Sequence, residues 1–104
     1  MKGRVVFMIH LKPGREDDFL KAYDSIRHEV ARGVKGHLMD QVCQSADDPL
    51  SWAITSEWDS LEAFREWERT PEHRDLVKPM RDCWDQAKSL KYQIRLETAH
   101  HERS

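Results

Sequence analysis

The sequence predicts an α+β domain, an antiparallel sheet with helices packed on one of its faces. Three observations carry that expectation. Apolar β-branched and aromatic runs alternate with helical patterns in the order β-α-β-β-α-β. Strands two and three are separated only by Ser45-Ala46-Asp47-Asp48-Pro49, a run of turn formers that predicts a hairpin. With 104 residues the chain forms one domain with a modest core and has no room for a separate cofactor-binding module. The plan is the ferredoxin-like βαββαβ, or split βαβ, arrangement.

Each element has its own signature. Residues 4–11, RVVFMIHL, read as a strand that the Lys12-Pro13-Gly14 turn ends. Residues 15–32 read as a helix, because Phe19, Ala22, Tyr23, Ile26 and Val30 recur on one face with charges elsewhere. Gly33 and Gly36 close it and open a strand at about 37–44, and the hairpin leads into the strand 51–58, SWAITSEW. The run from Glu57 to His73 is the most informative in the chain. Asp59 or Ser60 can cap a helix, with Glu62 placed for a capping box behind Asp59. Leu61, Phe64 and Trp67 (or Glu68) follow on one face. Thr70-Pro71 then restarts a helix, since proline at the first helical position loses no hydrogen bond. The helical region is expected to run from about 60 to 88, divided near Arg69–Pro71, with a last strand at 91–97 and a frayed tail at 99–104. The domain spans residues 1–98. Trp67 and His73 bracket the break between helices, a natural rim for a pocket.

Composition narrows the function classes. Seventeen basic against nineteen acidic residues give a net charge of −2, which argues against nucleic acid or an anionic membrane as partner. No apolar run reaches the ~18 residues of a membrane span, and MKGRVVFMIHLKPG lacks the pattern of a signal peptide, so a cytoplasmic location is expected. Cys43 and Cys83 stand far apart with no C-x-x-C and read as reduced, buried, small hydrophobes. His100-His101 has no partner at metal-ligand spacing, so no metal site is expected. No G-x-G-x-x-G, Walker or flavin signature appears. In Val5-Val6-Phe7-Met8-Ile9 both alternating sets are apolar, so both strand faces require cover. Helices cover one; a second copy should cover the other, which predicts a homodimer with its sheets face to face, a dimeric α+β barrel, the alternative being a lone sheet with a wet apolar face.

The strand ending in KPG, Gly36 opening strand two, the SADDP turn and the run EWDSLEAFREWERTPEH resemble the antibiotic biosynthesis monooxygenase (ABM) domain family, over nearly the whole chain. The family includes quinone-forming oxygenases of aromatic polyketides, haem-degrading enzymes and quinol oxygenases. The haem-degrading pattern implies an asparagine where Phe7 stands, a tryptophan at Trp67, and a ligating histidine where this chain has Val77; two of the three positions fail. The quinone-forming pattern implies an asparagine, a tryptophan and a polar aromatic at positions matched by Ala63, Trp67 and His73. The resemblance therefore implies a small cofactor-independent monooxygenase, acting with dioxygen on a phenol- or anthrone-like intermediate. A cyclase or a non-catalytic binding protein of the same fold is the alternative.

Each residue so singled out also has a plain structural reading. Trp67 either stacks on substrate or anchors its helix in the core. His73 is a base or hydrogen-bond donor, or a surface residue at a helix start. Phe7, Ile9, Trp52 and Trp84 supply dry walls or simply core packing. Trp58 is structural; Tyr92 either presents its hydroxyl or, more commonly, packs across strands; and His10 and His37 could face the barrel interior, although a strand-end histidine is more often solvated. Arg27-His28 and Arg81-Asp82 read as solvated helix faces.

Overall fold

The first strand, β1 (Gly3–Leu11), fixes the layering through its alternation. Val5, Ile9 and Leu11 are buried on one face with Phe7 partly so, whereas Val6 and Met8 lie on the other, Met8 being 46% exposed. In this computed structural model, which describes residues 1–100, α1 (Glu16–Gly33), β2 (His37–Gln44), β3 (Ser51–Trp58), α2 (Leu61–Glu68), α3 (Pro71–Arg81) and β4 (Trp84–Gln93) follow. The strands lie in the order β2-β3-β1-β4 and every neighbouring pair is antiparallel. The expected ferredoxin-like α+β architecture is therefore present, with three helices over one sheet face.

Two groups of side chains fasten the helices down. Phe19 and Ile26 of α1 and Met80 of α3 pack with Ile9, Leu11 and Trp52. Leu61 and Phe64 of α2 pack with Val5 and Trp58, the latter only 2% exposed. Burying each such side chain contributes about 2 kcal/mol. The helix starts are chemically distinct. Ser60 caps α2, its Oγ accepting from the Ala63 N–H at 3.2 Å, and Glu62 favours the first turn electrostatically rather than through a capping box. α1 has no side-chain cap and relies on Glu16, Asp17 and Asp18 in its first turn.

Two expectations are corrected. The helix before the last strand ends at Arg81, and β4 begins at Trp84, seven residues ahead of the expected position, ending at Gln93. The run DQAKSLK has good helical propensity, but antiparallel pairing with the full length of β1 overrides it. Cys43 is exposed, on the face away from the helices opposite Ala53, whereas Cys83 is buried as expected. Of the tail expected to fray, residues 101–104 lie outside the described residues.

Gly36 ties β2 to α2. Its φ is +88°, and an added Cβ would sit 2.6 Å from the Ala63 Cβ and 2.7 Å from Asp59 Oδ1. Gly14, at φ +80°, has the same conformational demand but open space around it. Gly14→Ala should therefore cost about 1 kcal/mol, the left-handed conformation alone. Gly36→Ala should cost roughly 3 kcal/mol, because the clash adds to it. Urea denaturation of both variants checks this; equal losses would mean that the Gly36 contact yields without strain.

Candidate functional site

The two packed groups do not meet over the middle of the sheet. Between them lies a cavity of about 190 Å³. Its floor is Val5 and Phe7 of β1 and Ile54, Ser56 and Trp58 of β3, and Trp84 borders it from β4. α1 contributes Tyr23, Ile26 and Arg27 from above, while Trp67, Glu68 and His73 enter from the break between α2 and α3.

Thr70 organises that break. Its hydroxyl donates to the Trp67 carbonyl at 2.7 Å and accepts from the His73 N–H at 3.1 Å, so one side chain ends α2 and caps α3. The rings it positions stand edge to face, with centroids 5.5 Å apart and planes at 84°. Burial pushes the His73 imidazole below its usual value; the nearby Glu68 opposes the shift and Arg81 adds to it. The ring is thus neutral at pH 7, with one N–H to donate and one lone pair to accept.

The four tryptophans divide by what their indole N–H groups do. Trp52 donates to the Pro49 carbonyl and Trp58 to Ser56 Oγ, both at 2.9 Å. The N–H groups of Trp67 and Trp84 have no partner among the described residues, and both rings line the cavity. Phe7 meets Trp84 edge-on at 5.3 Å. Of the residues singled out in the sequence, Phe7, Trp67, His73 and Trp84 are brought together here. Ile9 and Trp52 pack behind the cavity instead, Trp52 against Phe19 at 5.6 Å. His10 lies on the opposite sheet face, with Nδ1 3.0 Å from Asp85 Oδ1. Tyr92 is exposed, and Arg27 and Arg81, also exposed, border the cavity with part of their side chains.

The structure adds a pair that sequence reading passed over. His37 Nε2 lies 2.7 Å from Asp40 Oδ1, and the two side chains are 5% and 16% exposed. Positions three apart on a regular strand face opposite ways. Here β2 carries one extra residue against β3, since His37 pairs with Trp58 but Met39 with Glu57. The bulge returns His37 to the face that Asp40 shares with Val42. A carboxylate on the helix-facing side of a strand was the available signal. Among the described residues no three His, Cys, Asp or Glu side chains are grouped to hold a metal ion, and no helix is long and apolar enough to cross a membrane.

The fold is thus α+β, and the site a largely apolar cavity with indoles along its lining and imidazoles lowered by burial. The antibiotic biosynthesis monooxygenase family model matches residues 3–79, and the chain belongs to that family. It is 43% identical over 95 residues to a 42.8 kDa protein in the whiE locus of Streptomyces coelicolor, and 36% identical over 95 residues to the polyketide synthase CurD of Streptomyces cyaneus. Each match takes in 91% of this chain, which spans about a quarter of those relatives (24% and 25%). Among solved structures, SnoaB, a cofactor-independent oxygenase from Streptomyces nogalater, superposes with a TM-score of 0.81 at 15% identity, covering 95% of this chain and 98% of that one. At that identity the likeness is one of fold.

Burial lowers both His37 and His73, so unfolded imidazoles take up protons at about pH 6.5 while the folded ones do so only lower. Stability should therefore fall as the pH drops below about 6.5, until the folded groups also protonate. Asp40, raised by burial, acts in a separate window above about 3.8, where stability falls as the pH rises through its folded value. Urea midpoints at pH 7.5 and 5.5 should show the first effect, reduced in His73→Gln. A midpoint that is unchanged or higher at pH 5.5 would contradict the buried neutral histidines.

Proposed function

We propose that this domain is a cofactor-independent monooxygenase that oxidises an electron-rich phenol or anthrone, of aromatic polyketide type, to a quinone or hydroxylated product. The observation that carries the reading is the pair of indoles without a hydrogen-bond partner among the described residues, Trp67 and Trp84, whose rings line a largely apolar cavity beside His73. Neither N–H is sealed from open space, so both are free to donate to a polar group on a ligand. Family membership and the names of the relatives CurD and SnoaB agree with that choice of chemistry.

The substrate's own electrons drive the reaction. Deprotonation leaves an electron-rich enolate or phenolate that transfers electrons directly to dioxygen. For an anthrone, the methylene carbon gives up four electrons and two protons; one oxygen atom becomes the new carbonyl and the other leaves as water. The protein orients the ring against Phe7, Trp67 and Trp84, excludes water, and donates hydrogen bonds where negative charge develops. Trp67 orients the ring system, and His73 supplies a donor or a base. Ile9 and Trp52 back the dry wall. The sheet face bearing Val6, Met8 and Leu90 is the interface of a homodimer, which would complete the dimeric α+β barrel.

The test is oxygen consumption by metal-stripped protein given a simple anthrone, without flavin, haem or nicotinamide. Uptake above the spontaneous rate, with one dioxygen consumed per quinone formed, is expected. Conversion without oxygen uptake would identify a cyclase, and binding without conversion a carrier. Trp67→Phe should lower kcat/KM about tenfold, the equivalent of one hydrogen bond, while leaving the thermal midpoint within a few degrees. An unfolded variant would instead assign Trp67 to the core.

A further inference from the structure

His37 and Asp40 sit where two cavities join. Beyond the inner cavity, a shallower groove runs over the surface between α1 and β2, and Tyr23, Arg27, His37 and Asp40 border both. A ligand longer than the inner cavity would extend past these residues. The His37 ring is wedged in place: Trp58 meets it edge-on at 5.2 Å, and Trp58 is itself fixed by its bond to Ser56 and by Phe64 at 5.3 Å. Nε2 faces the Asp40 carboxylate. Nδ1 has no hydrogen-bond partner among the described residues, and it is not sealed from open space, since the one buried side-chain atom without a partner there is Arg15 Nε.

A pair like this is a poor device for stability. Burying a carboxylate and an imidazole at the core face of an edge strand costs desolvation that an apolar pair avoids. Both groups are held away from their charged forms by burial, His37 lowered and Asp40 raised. A polar pair of this kind beside a cavity is a functional-site candidate.

We infer that His37, oriented by Asp40, is the base that takes the substrate's proton, leaving His73 on the helix side as a hydrogen-bond donor. The inference rests on the oxygenase reading above for its substrate class, a phenol or anthrone. The substrate C–H or O–H bond breaks, its proton passes to Nδ1, and the electron pair stays on the substrate as enolate or phenolate. Asp40 takes no proton: accepting from Nε2–H, it keeps the lone pair on Nδ1 and faces the imidazolium as it forms. Asp40 is thus a positioning residue. The other charged or titratable groups nearby that share a cavity or groove with His37 are Tyr23, Asp24, Arg27 and His28 of α1, with Asp59 against Gly36. Glu68, His73 and Arg81 share the inner cavity.

Proton abstraction can be read without oxygen. A simple anthrone mixed with the intact chain under argon gives a coloured enolate, whose absorbance above a buffer control is followed against pH. Enolate should accumulate on an ascending limb with a midpoint below about 6.5. His37→Gln should reduce the enolate at pH 7 by about tenfold or more and remove the limb, whereas His73→Gln should lower the amplitude but keep the limb and its midpoint. Asp40→Asn, which keeps the size of the side chain, should move the midpoint to lower pH, because the imidazolium loses its counter-charge; it tests the same point if His37→Gln does not fold. The assignment is overturned if His37→Gln keeps the limb, if His73→Gln loses it, if Asp40→Asn leaves the midpoint in place, or if the wild type forms no enolate above the control. Enolate without oxygen uptake would end the oxygenase reading and leave the base assignment standing. Uptake that persists in His37→Gln would do the reverse.

Discussion

Two separate groups of buried side chains, rather than one continuous core, fasten the helices to the sheet, and the cavity is the space where they fail to meet. α1 and α3 close over Ile9, Leu11 and Trp52, while α2 closes over Val5 and Trp58. Phe7 and Ile54 lie between them, paired across β1 and β3 and only partly covered. Interiors ordinarily close-pack, and an empty lining forfeits its dispersion contacts. The gap persists because α2 and α3 are separate helices with separate seats. A single helix over the same residues would carry Trp67 and His73 on a course fixed by one axis. Thr70 breaks that axis and turns both residues to the same rim.

A second break in regularity does the same for the sheet. Gly36 takes up a backbone conformation that other residues resist, with Asp59 and Ala63 against it, and the extra residue of β2 follows at once. Leu38, the residue beside the bulge, is 48% exposed, while His37 turns inward against Trp58. The close approach of α2 to the start of β2 thus fixes the strand's entry, and the entry fixes which way an imidazole points. Packing and site are coupled through two residues that carry no chemistry of their own.

The same two irregularities explain what could be read from the sequence. Regular periodicity located β1, β2 and β3 within a residue of their ends, and the Ser60 and Thr70 caps marked the helix starts, because alternation and capping are local properties. Trp67 and His73 were legible as a rim for the same reason: a cap between them is written in Thr70-Pro71. β4 was displaced because its pairing with β1 is non-local and its composition favours helix. His37 and Asp40 were illegible as a pair because a period of two sets them on opposite faces, and only the register against β3 shows the extra residue. Trp52 and Trp84 could not be separated by spacing either; the distinction lies in the Pro49 carbonyl, which engages one indole and leaves the other open.

The placement of charge completes the argument. The cavity walls are apolar, and the ionisable groups that reach it fall into two kinds. Arg27, Glu68 and Arg81 keep exposed side chains at the border, where water screens them. His37, Asp40 and His73 are drawn in, and burial moves each towards its neutral form. Open N–H donors beside a largely apolar wall would place little charge on a neutral ligand and gain strength against an anionic one. On the proposed oxygenase reading such donors would hold the deprotonated substrate more strongly than the neutral one, which is the condition for binding energy to appear as rate. Burial lowers both imidazoles, and the rings that meet them are aromatic, Trp58 against His37 and Trp67 against His73.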